Sequence, residues 1–278
     1  MSAHREPFLA ACVQMRAGAD KAANLALAEA LVVEAARRGA RLVALPENFS
    51  WRGPGEGDAE AWEPLDGPTV ALLATLARRH RLTIVGGSIL ERPAAAGELP
   101  GNTSVVVGED GALLASYRKI HLFDVSIPGR VESRESERRA AGEEVVCVDA
   151  EVARLGLSVC YDLRFPELYR ALGRAGAQVL CIPSAFTFPT GAAHWEVLLR
   201  ARAIENQCYV LAPNQWGPTP HGHLDYGHSA IVDPWGTVLA CAPEGNGVVV
   251  AEVDLARLAR VRAELPCLDH VRLGSPRA

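Results

Sequence analysis

The chain lacks any apolar run long enough to span a membrane, which needs about 20 consecutive residues, so no membrane segment is expected. The N-terminal stretch MSAHREPFLA carries charges and has no apolar h-region, so no secretory leader is expected either. A basic excess is missing. Lys and Arg number 28 against 33 Asp and Glu, a net charge of −5, which argues against nucleic acid or an anionic membrane as partner. The seven cysteines are an odd number, scattered, with no CxxC pair and no short Cys/His cluster. That pattern argues against a disulfide frame and a zinc site and points to reduced thiols in a cytoplasmic protein. No linker, tandem repeat or low-complexity block interrupts the chain, so one domain over residues 1–278 is the economical reading.

With 49% hydrophobic and 22% charged residues, the chain can build a sizeable core. Strand-like and helix-like segments alternate. Phe8–Met15 reads as a buried strand, and Asp20–Arg38 as a helix stopped by Gly39. Arg41–Leu45 is a strand, Thr69–His80 a helix, and Leu82–Leu90 a strand. Thr103–Val107 and Ala112–Tyr117 flank the hairpin signal Glu109-Asp110-Gly111. Charge-dense Glu132–Arg139 reads as an exposed loop or short helix. Further on come helix Pro166–Arg174, strand Gln178–Ile182, helix His194–Gln207 and strand Tyr209–Ala212. His228–Val232 and Thr237–Ala240 flank the turn Asp233–Gly236, then strand Gly247–Val253 and helix Leu255–Leu265 close the series. Helices among many buried strands mean α/β, and the hairpins mean mixed sheets. Two sheets back to back with helices outside would hold this many strands.

Three reactive side chains stand just past strand ends, where α/β proteins place their sites: Glu47 after ARLVALP, Lys119 after LLASYR, and Cys160 after LGLSV. Together they suit one chemistry. A carboxylate takes the proton of a thiol whose ordinary pKa, about 8.5, makes it a weak nucleophile. An ammonium stabilises the thiolate and then the oxyanion, and the Tyr161 N–H beside the nucleophile is a second oxyanion donor. Each residue also has a plain reading. A cysteine ending an apolar strand is usually a small buried hydrophobe, the role assigned to Cys12, Cys147, Cys181, Cys208 and Cys241. Glu and Lys past a strand are usually solvated. Cys/His chemistry is a competing reading, with His121, His194 and His228 at hand.

The segments LPEN around Glu47, YRKIHLF around Lys119 and CYDLRFPE around Cys160 resemble, in order, the three signature motifs of the nitrilase superfamily of carbon–nitrogen hydrolases. HWEVLLRARAIENQCYV (His194–Val210) and YGHSAIVDPWGTVLA (Tyr226–Ala240) are similar to it as well, and the likeness runs from Phe8 to about Arg272. The resemblance implies a four-layer α-β-β-α sandwich with two mixed sheets, a Glu47-Lys119-Cys160 triad, and a second glutamate at Glu135. Composition alone would make Glu135 a solvated loop charge. The likeness is greatest to the branch of deaminated glutathione amidases and omega-amidases. It implies hydrolysis of a terminal amide of a small carboxylic acid, in particular a 2-oxo acid, to acid and ammonia, with no metal or organic cofactor. N-carbamoyl hydrolysis and a non-enzymatic scaffold on the same fold are the alternatives.

Phe123, Phe186 and His194 are candidate substrate contacts. Arg164 is expected to pair with Asp162 or another nearby carboxylate rather than with substrate. Ala212–Gly217 reads APNQWG where that branch suggests a more Ala-rich stretch, and this segment is expected to border the pocket. Trp195, Leu198, Leu199 and Ala203 form a core stripe at helical spacing, on a helix that in this family supports a dimer, and Trp235 is expected to pack in its turn. The expected partners are a small-molecule amide and further copies of the chain, as a homodimer or higher homo-oligomer.

Overall fold

The computed structural model describes residues 6–54, 57–129, 131–220 and 222–273; residues 1–5, half of the stretch read as leaderless, lie outside the described residues. The chain begins with β1 (Phe8–Gln14). Successive strand side chains point to opposite faces, and both faces of this strand are apolar, so it is buried on both. It leads into α1 (Lys21–Arg37), whose cap Asp20 accepts the Ala23 N–H at 3.0 Å. Next come β2 (Ala40–Ala44), a short α2 (Asp58–Ala61) and α3 (Pro68–His80), then β3 (Thr83–Val85), β4 (Ile89–Glu91), β5 (Gly101–Val107) and β6 (Leu113–Arg118). A hairpin follows, β7 (Asp124–Ile127) and β8 (Val131–Arg134), then β9 (Cys147–Asp149), β10 (Arg154–Leu157) and α4 (Pro166–Arg174). After β11 (Val179–Cys181), α5 (Phe188–Asn206) and β12 (Tyr209–Ala212) come a small pair, β13 (Trp216–Pro218) and β14 (Leu224–Tyr226). The chain closes with β15 (Ala230–Val232), β16 (Val238–Cys241), β17 (Gly247–Val253) and α6 (Leu255–Glu264).

Two mixed sheets result. One runs β17-β1-β2-β3-β5-β4, with β6 also on β5; the other runs β16-β15-β12-β11-β10-β9. Within each, three consecutive strands are parallel, β1-β2-β3 and β12-β11-β10, and antiparallel strands finish the edges. Ala10 and Cys12 face the second sheet and share one core with Leu42, Leu155, Leu157 and Val210. Ala11 and Val13, one residue out of step, join Val43 and Ile84 under Leu31 and Val32 of α1 and Leu73 and Leu76 of α3. On the far side, α4 packs on β10 while α5 packs on β12 and β15. The layers are therefore helix, sheet, sheet, helix, as the sequence and the resemblance imply.

Several expectations change. The strand expected over Leu82–Leu90 is broken into β3 and β4 at Gly86-Gly87. Gly87 has φ +50, and a Cβ there would meet the Pro46 carbonyl oxygen at 2.0 Å, so the chain turns beside the Glu47 loop. The segment read as loop or short helix over Glu132–Arg139 instead supplies most of β8 and then a single 3-10 turn, Glu135–Glu137. The helix expected from His194 starts at Phe188, because Pro189 suits the first turn of a helix. Cys241 is exposed and Cys147 half-buried, since both lie on edge strands, so the buried-hydrophobe reading fails for these two. Trp235 does not pack in its turn; it is 57% exposed. Among the described residues, no helix is long and apolar enough to cross a membrane.

Candidate active site

β10 delivers Cys160 to the point where its strand runs out. The Asp162 carboxylate accepts the Val159 N–H at 2.8 Å, and the chain winds into a 3-10 turn over Cys160–Arg164. Cys160 stands at φ +49, a left-handed conformation that costs a residue with a Cβ, while its N–H is tied to the Pro183 carbonyl at 2.9 Å. The turn aims the side chain into a cavity of about 430 Å³ lined also by Glu47, Lys119, Phe123, Phe186 and Arg164. The N–H groups of Cys160 and Asp162 are both taken, the latter by the Val159 carbonyl; that of Tyr161 meets no acceptor among the described residues.

The charged groups converge on Lys119, which is only 2% exposed. Its Nζ donates to Glu47 Oε1 at 3.0 Å and to Glu135 Oε2 at 2.8 Å. Glu135, expected from composition to be solvated, has a side chain only 14% exposed. The β7–β8 hairpin folds it inward, and its Oε2 also accepts the Phe123 N–H at 2.7 Å. Burial pushes the Glu135 carboxyl up, but Lys119, the Phe123 N–H and Asn102 outweigh that and hold it below the usual carboxylate range. Burial likewise opposes the Lys119 charge, and Glu135, Glu47 and Cys160 together carry it well above the usual lysine range. The Cys160 thiol is pushed up by burial and by the nearby Glu47 carboxylate, against the opposing pull of Lys119. Two carboxylates already surround one ammonium, so a further anion beside them is resisted.

Asn102, absent from the residues singled out by sequence, completes the cluster. Its Nδ2 donates to Glu47 Oε1 at 2.8 Å and to Glu135 Oε1 at 3.1 Å. It opens the stretch NTSVVV beside two other small polar residues, and nothing in that local pattern singled it out. Both side-chain donors on Glu47 fall on Oε1, which leaves Oε2 without an N–H donor among the described residues. Glu135 has both oxygens engaged.

Other candidates separate. Phe123 and Phe186 line the cavity with Tyr161; His194 does not, and instead places Nδ1 3.1 Å from Arg164 Nη1. Arg164 pairs with no carboxylate among the described residues. Asp162 is occupied by Tyr117, His121 and Val159, so the guanidinium lies over Phe186, 5.1 Å from the ring centre, and lines the cavity. No histidine of the Cys/His reading reaches the thiol. His121 Nδ1 is 2.7 Å from Asp162 with its ring stacked on Phe165, and His228 Nδ1 is 2.9 Å from the Tyr226 carbonyl. APNQWG braces the cavity from behind and does not line it. Gln215 Nε2 donates to the Glu47 carbonyl at 3.0 Å, and Asn214 Oδ1 accepts the Phe186 N–H at 3.0 Å.

Comparison with known proteins identifies the family. The carbon-nitrogen hydrolase family model matches residues 9–263. The chain is 43% identical over 267 residues to a deaminated glutathione amidase of Synechocystis sp., covering 95% of this chain and 98% of that protein. It is 39% identical to the human omega-amidase NIT2 over 95% of each chain. The crystal structure of Saccharomyces cerevisiae Nit3, a member of branch 10 of the nitrilase superfamily, superposes with a TM-score of 0.85 at 33% identity, covering 95% of this chain and 96% of that one. The chain belongs to the carbon-nitrogen hydrolase family, within the nitrilase superfamily.

Proposed function

We propose that this protein is a cysteine amidase that hydrolyses the amide of a small carboxylic acid, in particular a 2-oxo acid, through a thioester on Cys160. The observation that carries the reading is the convergence of Glu47 and Glu135 on buried Lys119 beside a cysteine held at a strained turn. Glu47 Oε2 takes the Cys160 proton as the sulfur attacks the amide carbon. The carbonyl π-electrons move to oxygen, and the oxyanion is met by Lys119 and the Tyr161 N–H. An ammonium has three N–H donors; the two glutamates take two, which leaves one for the oxyanion. Oxyanion donors of this kind contribute about 10²–10³ each in rate. Glu47 then returns the proton to nitrogen, the C–N bond breaks, and ammonia or an amine leaves. A water gives its proton to Glu47 and adds to the thioester carbon; the C–S bond breaks, the acid leaves, and Glu47 returns the proton to sulfur, which restores the thiol. Glu135 holds Lys119 and helps to place the water.

Arg164 supports the choice of acid. A cation in the cavity wall with no carboxylate partner among the described residues suits a substrate carboxylate, and an arginine fork binds one in bidentate fashion. The relatives act, by their names, on deaminated glutathione or as omega-amidases, and deaminated glutathione is the substrate we favour. Alpha-ketoglutaramate is the second reading, because a compact primary amide leaves the same groups engaged. Measuring ammonia and acid released from deaminated glutathione, alpha-ketoglutaramate, an N-carbamoyl amino acid and a nitrile tests this. Turnover of either of the first two above the others supports it, and no turnover of any substrate supports a scaffold instead.

The same reading extends to assembly and compartment. Val197 and Ile204 on α5 are exposed, as are Trp235 and Leu239, with Ile204 against the Gly236 turn, and these apolar groups suit burial against a second copy of the chain. The cysteines are all free, as in a reducing cytoplasm. Light scattering on wild type and Val197→Glu tests the first proposal: a dimer that the substitution splits supports it, and a wild-type monomer rejects it.

A further inference from the structure

We propose that Asn102 is a positioning residue of this site, its side-chain NH2 holding Glu47 and Glu135 as a fixed carboxylate pair around Lys119 and turning Glu47 Oε2 toward the thiol. The inference rests on the amidase reading above and extends it to a residue outside the triad. Asn102 is 1% exposed and stands at the start of β5, next to the strand that ends at Lys119. Its backbone carbonyl accepts the Lys119 N–H at 2.9 Å, so the same residue sets where the lysine leaves the sheet. Its NH2 group spans the two glutamates at 2.8 and 3.1 Å.

The amide has only one workable orientation. Rotated by half a turn, its oxygen would face two carboxylate oxygens with no proton between them. In the orientation present, Oδ1 is buried and finds no hydrogen-bond partner. A buried unpaired acceptor costs stability. Folding alone would favour a residue without that acceptor, so the two N–H bonds to the glutamates are the feature that the position serves. The glutamates face other charged groups too: Lys119 and Cys160 on Glu47, with the buried Asp225–Arg52 pair beyond, and Lys119 on Glu135. None of these supplies a second neutral donor shared by both carboxylates. Without the amide, Glu47 keeps Lys119 alone on Oε1 and is free to turn, and Glu135 loses a bond that favours its charged form.

The test uses Asn102→Ala and Asn102→Asp with Cys160→Ala alongside, in the full-length protein. Folding is checked by urea unfolding. Both Asn102 variants are expected to fold and to lose about tenfold or more in kcat, with KM nearly unchanged. The acid limb of kcat/KM should move up by about one pH unit in Asn102→Ala, because the Asn102 bond that favours the charged form of Glu135 is lost. It should move further in Asn102→Asp, which keeps the shape but adds a third carboxyl. A residue that merely fills space would leave that limb in place. If Cys160→Ala still turns over substrate, the amidase reading itself fails. If Cys160→Ala is inactive and both Asn102 variants keep the wild-type limb, or neither folds, the amidase reading stands and the inference about Asn102 is overturned.

Discussion

The buried carboxylate of Asp162 accepts the Tyr117 hydroxyl at 2.7 Å, and this bond ties the strand that ends at Lys119 to the turn that carries Cys160. Burial and the neighbouring Asp162 charge push the Tyr117 phenol far above its usual range, so it stays a donor. Asp162 also accepts the Val159 and His121 N–H groups. Removing the hydroxyl leaves a charged, fully buried acceptor one bond short. Tyr117→Phe is therefore expected to lower stability by about 1.5–3 kcal/mol, the range for hydrogen bonds to charged groups, and to lower kcat as the two segments loosen. Urea unfolding checks the first part. A loss below about 0.5 kcal/mol, the usual scatter of neutral substitutions, contradicts it.

The charge balance around Cys160 gives a second expectation. Burial and the Glu47 carboxylate hold the thiol well above its ordinary value. The free enzyme should show no thiolate absorbance step near 240 nm that Cys160→Ala removes, between about pH 6 and 9. Proton transfer to Glu47 then belongs to the attack itself. A step lost in Cys160→Ala within that window would mean a preformed thiolate.

Glu135 links stability to pH. Its folded carboxyl lies below the unfolded value of 4.5, so between the two the unfolded chain binds more protons. Its contribution is present in full above 4.5 and is lost as pH falls through the lower folded value. Glu135→Gln should stay folded at neutral pH, lose activity, and lose less stability than wild type on acidification below 4.5. Equal acid sensitivity in urea unfolding, with unchanged kcat/KM, would return Glu135 to a solvated loop charge.

The sequence carried the layers of the fold and the convergence at the strand ends, because both follow from local pattern. Phe8–Val13 and Tyr209–Ala212 are short runs with no charged or amide side chain and read as buried strands. Cys160 and Lys119 announce themselves where such runs stop. What was illegible depended on contacts across the chain. Nothing near Glu135 says that a hairpin folds it 2.8 Å from Lys119. Only its likeness to a family pointed there. Asn102 meets Glu47 from 55 residues away, with no periodicity to reveal it. Arg164 looked like a partner for Asp162, two residues back, but Tyr117, His121 and the Val159 N–H occupy that carboxylate first.

The central claim is that Cys160 carries the acyl group. Rapid acid quenching during turnover of an amide substrate, followed by peptide mass spectrometry, tests it directly. The account predicts an acyl mass increment on the peptide containing Cys160, sensitive to hydroxylamine as a thioester is, and absent from Cys160→Ala. An acyl group on another residue, or full turnover by Cys160→Ala, would contradict it.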